Sequence, residues 1–423
     1  MFFYHLLWTF IGGPLLFGCR FFGNLRLAER TAIAIPTTRI NPGGIWVHAL
    51  SVGEVKSAIP LVQRIKEDYP GKPLIFSSTT KQGLDLARKE VGRIVDTVIT
   101  MPLDFWWSYR RVVRLVQPEA FLLVETDVWP GILSDLKSIG ARALVINGRV
   151  SDHSYKLYKR VPKVAQWLFK NFKLCLMQTE EDRRRLLSIG LPPQKVIAVG
   201  NVKFDRPSPP MGDEEREQWR KILGLKEDDI ILVAGSTHGQ ESFSILEVFF
   251  ELQSRYPYLV LVLAPRKIEQ GPELQEAVKS QGKTCHLRSK GGGVGRRPDV
   301  VILDSIGELE RVYGVGHISF VGGSLVPFGG HNLLEPANFG IPVLYGPHTQ
   351  NFAWMSDTLE LSGGGIRVRD SADLKRSIQR LLEDEELRTG MGRAALAFVK
   401  QNQGALDRAM SHIRACIKRG AGC

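Results

Sequence analysis

From Ile45 onward, short runs of wholly apolar residues alternate with stretches that are apolar on one side only. IWVHA is followed by EVKSAIPLVQRIKEDY and PLIFSS by KQGLDLARKEV, and the alternation continues through VDTVIT, AFLLVE, ALVIN and LCLMQ. A run that is apolar at successive positions suits a strand covered on both faces, and helices between such strands imply parallel pairing. The pattern predicts a doubly wound α/β lobe over residues 23–205. RPSPPMGDEE (206–215), with three prolines and a glycine, then breaks the rhythm and reads as a linker. ILVAGS, LVLVLAPR, VVILD, HISFVGG and PVLYG restart it, which predicts a second Rossmann-like lobe over 216–385, closed by C-terminal helices over 386–423. Two such lobes are expected to define a cleft, and open α/β sheets bind ligands at the carboxyl ends of their strands.

The amino terminus changes this picture. Residues 1–19 (MFFYHLLWTFIGGPLLFGC) contain no Asp, Glu, Lys or Arg, and Arg20, Arg26 and Arg30 follow them. A cleaved signal peptide carries its positive charge in front of the apolar run, so an uncleaved membrane segment, 1–22, is the expectation. The positive-inside rule then keeps the lobes on the cytoplasmic side of the membrane. Gly12-Gly13-Pro14 interrupts the segment, which is shorter than the roughly 20 residues of a straight span. It either crosses the bilayer or lies in its interface, and a buried core helix is the alternative.

The 423 residues suffice for two domains, and 43% hydrophobic with 24% charged residues exclude disordered and multispanning membrane classes. A net charge of +12 points to an anionic partner: nucleic acid, acidic lipid or a phosphorylated substrate. No helix-turn-helix, zinc-finger or RNA-recognition motif is present, so nucleic acid is not expected. Cys19, Cys175, Cys285, Cys416 and Cys423 are scattered without a C-x-x-C, which argues for a reducing compartment and against structural zinc.

Four constellations fall at predicted strand ends. HALSVGE (48–54) puts Glu54 in the first turn of a helix, where it either takes a proton from an attacking hydroxyl or merely complements the helix dipole. VETDVWP (124–130) puts Glu125 at the end of another strand, with Pro130 suited to a first helical turn. A glycoside hydrolase pair would look the same at this level. GNVKFD (200–205) offers Lys203 to a leaving phosphate or a sugar carboxylate, or else only a solvated charge beside the linker. In the second lobe, LAPRK (263–267), DSIGELE (304–310) and FVGGSLVPFGGHNLLEPANFGIPVLYGPHTQNF (320–352) are the most specific. GGS and GGHN are expected to leave backbone N–H groups open to an anion before a helix starting near Asn332, with Glu335 available to a nucleotide ribose. SKGGGVGRRP (289–298) lacks the G-K-[ST] of a phosphate-binding loop and reads as a mobile basic loop.

HALSVGE, ETDVWP, GNVKFD, GSTHGQE, LAPRK, DSIGEL and the long GGSLVPFGGHNLLEPANFGIPVLYGPHTQNF, in this order, resemble the Kdo (3-deoxy-D-manno-octulosonic acid) transferases of lipopolysaccharide synthesis along nearly the whole chain. The resemblance implies a GT-B fold, CMP-Kdo as donor, a lipid A precursor (lipid IVA) as acceptor, inversion at the sugar, and no metal or other cofactor. It implies Glu54 as general base, with Glu125 and Lys203 stabilising the transition state. It assigns the CMP contacts to Pro265 and Arg266, to Ile306, Gly307, Glu308 and Leu309, and to Asn332, Leu333, Leu334 and Glu335. The alternatives are a transferase or epimerase with a UDP donor, and a catalytically inert binding protein on the same fold.

Overall fold

A computed structural model describes residue 4 and residues 29–31, 40–205, 210–291 and 297–418. The membrane segment expected at 1–22 lies outside the described residues except for Tyr4, as do residues 206–209 of the linker and 292–296 of the glycine-rich insert. No helix among the described residues is long and apolar enough to cross a membrane.

The chain forms two units, 1–206 with 402–423, and 207–401. The first is built on seven parallel strands: β1 (Ile45–Ala49), β2 (Leu74–Ser78), β3 (Thr97–Thr100), β4 (Ala120–Val124), β5 (Arg142–Gly148), β6 (Phe172–Met177) and β7 (Val196–Ala198). Their order is β3-β2-β1-β4-β5-β6-β7, so the winding reverses between β1 and β4. Each strand reads as an apolar run because helices cover both faces: Trp46, Phe121 and Val145 enter one core, and Val47, Leu122 and Leu144 the other. Trp46 meets Phe121 edge to face at 5.1 Å, and its indole donates to Ser77 Oγ at 2.8 Å.

The second unit repeats the plan with β8 (Ile230–Thr237), β9 (Leu259–Pro265), β10 (Cys285–Leu287), β11 (Val300–Ile302), β12 (Ile318–Val321), β13 (Val343–Tyr345) and β14 (Gly365–Arg367). The order β10-β11-β9-β8-β12-β13-β14 puts its reversal between β8 and β12. Two boundaries differ from the sequence expectation. The linker runs into the helix Asp213–Leu223, whose first-turn acids Asp213, Glu214 and Glu215 suit the dipole and which ends on Gly224 at φ 72°. The closing helices do not act as one segment: Glu385–Asn402 belongs to the second unit, whereas Ala405–Lys418 returns to the first. There its Ala409, Met410, Ile413 and Ile417 complete the core beneath Val47 and Leu122.

Candidate active site

The reversal in the first sheet brings two distant turns side by side. Glu54 follows β1, Glu125 follows β4, and these strands are neighbours although two other strands lie between them in sequence. Glu54 lies in the first turn of the helix Val52–Asp68, where Ser51 is the N-cap but makes no side-chain cap bond. The Glu54 carboxylate reaches back instead: Oε2 accepts from Leu50 N at 2.5 Å, and Oε1 lies 3.4 Å from Ser51 Oγ. S-V-G-E is thus a variant of the capping box, shifted by one residue. The structural role considered for Glu54 is real, but the surroundings give it a second property. Burial, then the Glu125 charge, and to a lesser degree Asp127 push its pKa up to about 7, against the Leu50 hydrogen bond and Lys203, which pull it down. A carboxyl poised there can exchange a proton near neutral pH.

Glu125 is held at φ 63°, a left-handed conformation that costs a non-glycine residue about 1–3 kcal/mol and clusters at functional sites. Its N–H donates to Ile146 O at 2.8 Å, and its Oε1 accepts from Lys203 Nζ at 2.9 Å. The turn is braced on both sides. Asp127 accepts from the Trp129 indole at 2.7 Å. Asp104 caps the helix Pro130–Ser138 from outside it, accepting from Gly131 N and Ile132 N, both at 2.7 Å. A side chain at Gly131 would collide with Asp104 and Tyr109, so the capping needs glycine there.

Lys203 sits on the short helical turn Val202–Asp205 after β7. Three polar residues at strand ends set its place, and none of them stands out in the motifs. Asn147, at φ 58° in β5, accepts from Val202 N at 3.1 Å, and its carbonyl accepts from Gln178 Nε2 at 3.0 Å. Gln178 Oε1 accepts from Asn201 Nδ2 at 3.1 Å, and Asn201 Oδ1 accepts from Lys203 N at 3.0 Å. The signal was present: ALVIN and LCLMQ each end an apolar run on a carboxamide. His48, in contrast, is a core residue. Burial holds it down to about 4, so it stays neutral against Ser77.

In the second unit the expected nucleotide residues all follow strands of one sheet edge: Pro265 and Arg266 end β9, Ile306 to Leu309 follow β11, and Asn332 to Glu335 follow β12. Arg266 is exposed, and its backbone N–H donates to Thr237 O at 2.8 Å. Ile306 is 86% exposed, an unusual position for isoleucine, beside Gly307 at φ 94°. Glu308 is held by Arg288 at 2.8 Å and by the Ser305 hydroxyl. Leu333 and Leu334 are buried, so what they offer a ligand is backbone. Asn332 accepts from Leu334 N at 3.2 Å and donates to Glu335 Oε1 at 3.3 Å.

Two expectations about this loop are corrected. The helix near Asn332 spans only Leu334–Ala337, a single turn too short to present a helix-terminal anion site. The N–H groups of the GGS turn are not open to an anion either. Gly323, Ser324 and Leu325 all donate to the Glu241 carboxylate, and Gly322 donates to Gly235 O. Nothing in GSTHGQE marks Glu241 out, because a glutamate early in a helix looks like any other first-turn acid.

Among the described residues no cluster of three or more His, Cys, Asp or Glu side chains forms a metal-type site. Two Rossmann-type units, each with polar groups at its strand ends, form the GT-B architecture of glycosyltransferases and sugar-nucleotide epimerases. The fold matches a glycosyltransferase from Rickettsia africae (TM-score 0.58, 12% identity, 90% of this chain and 100% of that one) and a UDP-GlcNAc 2-epimerase from Neisseria meningitidis (TM-score 0.60, 14% identity, 89% and 100%). Residues 25–206 match the family model described as 3-deoxy-D-manno-octulosonic-acid transferase (kdotransferase). The chain is 33% identical to the 3-deoxy-D-manno-octulosonic acid transferase of Haemophilus influenzae over 93% of its own length and 92% of the relative's. It is 31% identical to that of Aquifex aeolicus over 80% and 86%. The chain belongs to the 3-deoxy-D-manno-octulosonic acid transferase family.

Proposed function

We propose that this glycosyltransferase moves Kdo from CMP-Kdo to a lipid A precursor of the lipid IVA type, in lipopolysaccharide synthesis, by one displacement with inversion and without a metal ion. The observation that carries the reading is the convergence of Glu54, Glu125 and Lys203 at the reversal of the first sheet, with Glu54 poised near neutrality. Glu54 takes the proton of the acceptor hydroxyl as its oxygen bonds to the anomeric carbon. The bond from that carbon to the CMP phosphate oxygen breaks, and CMP leaves with the electron pair. Lys203, oriented by Glu125, balances negative charge on the sugar carboxylate or the departing phosphate. Arg266 is a further exposed cation for the phosphate. The backbone of 306–309 and the side chains of Asn332 and Glu335 are assigned to the nucleoside.

A lipid acceptor also accounts for surface features of the first unit. The successive helices Asp152–Arg160 and Pro162–Phe169 expose Leu157, Val161 and Val164 among Lys156, Lys159, Arg160 and Lys163, and Trp106 is exposed beside Arg110 and Arg111. Tyr4, from the uncharged amino-terminal segment, reaches the same region, donating to Asp104 at 2.6 Å and packing on Trp167. We assign this surface to an anionic membrane on its cytoplasmic side.

The test is mass spectrometry of lipid products after incubation with CMP-Kdo and a tetra-acylated lipid A precursor, with UDP-sugars as competitors. A Kdo-bearing lipid, formed undiminished in excess UDP-sugar, supports the reading. No Kdo transfer, or transfer only from a UDP-sugar, overturns it.

A further inference from the structure

The reversal of the second sheet is filled by a clamp that the expected nucleotide residues do not include. Glu241, in the first turn of the helix Gln240–Gln253, is 1% exposed. Its two oxygens accept four backbone N–H groups from both sides of the reversal. Oε2 takes His238 N at 3.0 Å and Gly323 N at 2.7 Å, and Oε1 takes Ser324 N at 3.1 Å and Leu325 N at 2.9 Å. A buried carboxylate is tolerated when its lone pairs are satisfied in this way, and such charge-assisted bonds are about twice as strong as neutral ones.

A second tie joins the same two segments farther along. The His238 and His331 rings lie within 3° of one another, with centroids 5.0 Å apart and Nε2 atoms 2.7 Å apart. That geometry is edge to edge: the rings share one proton in a common plane, one as donor and the other as acceptor. Phe328 covers the face of His238 at 4.1 Å. His331 directly precedes Asn332, so loop 322–335 is pinned at its start by a carboxylate and near its end by an imidazole. The glycines between are needed for this course: Gly329 and Gly330 have φ of 89° and 78°, and a side chain on Gly322 would strike the Ser236 and Thr237 backbone.

We infer that Glu241 and the His238–His331 pair are positioning residues for donor binding, holding loop 322–335 so that Asn332 and Glu335 meet the nucleotide in a fixed geometry. The inference rests on the reading of 332–335 as part of the CMP site. Glu241→Gln keeps the shape but turns one oxygen into an amide donor facing two N–H groups. His331→Leu removes the in-plane bond, whereas His331→Gln restores a hydrogen-bonding group near the Nε2 position.

The experiment is CMP titration by calorimetry on the full chain, with thermal unfolding run alongside and steady-state kinetics where turnover is measurable. Glu241→Gln is expected to weaken CMP binding about tenfold or more, and His331→Leu about fivefold or more, with His331→Gln recovering most of the loss. KM for the donor should rise while KM for the acceptor and the acid limb of the pH profile stay unchanged. Folded Glu241→Gln protein that binds CMP as the wild type does would overturn the inference, with or without a lower melting temperature. Should that variant fail to fold, equal CMP affinity of His331→Leu and His331→Gln would overturn it instead. A wild-type chain that does not bind CMP at all would overturn the functional reading as well, a result distinguishable from both.

Discussion

Glu54 and Glu241 occupy matching places in the two units. Each lies in the first helical turn after a strand that flanks the reversal of its sheet, Glu54 after β1 and Glu241 after β8. Their surroundings differ in kind. Glu241 is enclosed by four N–H donors, so its charge is fully answered and it serves as a tie. Glu54 has one N–H donor and faces a second carboxylate across the reversal, so its charge is contested and its proton is labile. One topological position thus yields a fastener or a carboxyl with a labile proton, depending on how many donors the neighbouring turn supplies.

The comparison breaks most visibly at Glu54. Glu54→Gln should lower turnover about a hundredfold or more while leaving CMP affinity within about twofold, measured by product formation and calorimetry. Near wild-type turnover would reduce Glu54 to the cap it also is. Lys203→Ala should cost about tenfold or more in turnover and, by removing a charge that favours ionised Glu54, move the acid limb of kcat/KM to higher pH. Glu125→Gln should move that limb to lower pH, because it removes the repulsion. Identical limbs in the two variants would mean that neither group acts on Glu54.

The wild-type limb itself should fall near pH 7. As the proposed base, Glu54 has to be ionised, so the rate should decline as pH drops through that value and be restored above it. The same shift has a stability counterpart. Because the fold raises the Glu54 pKa from 4.5 to about 7, the folded state binds its proton more tightly than the unfolded state. Stability is therefore lost as pH rises through that interval. Glu54→Gln should be the more stable protein at pH 8, by about 2–4 °C for each kcal/mol relieved, and the advantage should shrink below pH 5. The smallest effect expected is that of a chelator: EDTA should leave the rate within error, and a rate that returns only with added magnesium would place a metal in the reaction.

Much of this was legible in the residues. Continuous apolar runs gave the strands, because each lies between two helical layers, and RPSPP marked where one series stops. Glu54, Glu125 and Lys203 could each be picked out as polar groups ending an apolar run. Their meeting could not, since β1 and β4 become neighbours only through the winding order, which spacing does not encode. The carboxamides Asn147, Gln178 and Asn201 escaped notice for a related reason: each looks like an ordinary turn residue until the sheet aligns them. The glycine pairs misled in the other direction. GGS does free its N–H groups from secondary structure, but a side chain about 80 residues earlier, Glu241, takes them up.

The helix Ala405–Lys418 ties completion of the first unit's core to a late-synthesised part of the chain. The first unit is made first, yet Ala409, Met410, Ile413 and Ile417 of its core are translated only after the whole of the second unit. A nascent chain halted anywhere between 206 and 405 carries Glu54, Glu125 and Lys203 on a sheet with one face partly bare. The second unit, contiguous at 207–401, can close while the first still waits. Synthesis thus lets the later unit complete its contacts first, and the helix Val52–Asp68, which carries the proposed base, gains its packing against Ala405–Lys418 only once residues 405–418 have been made.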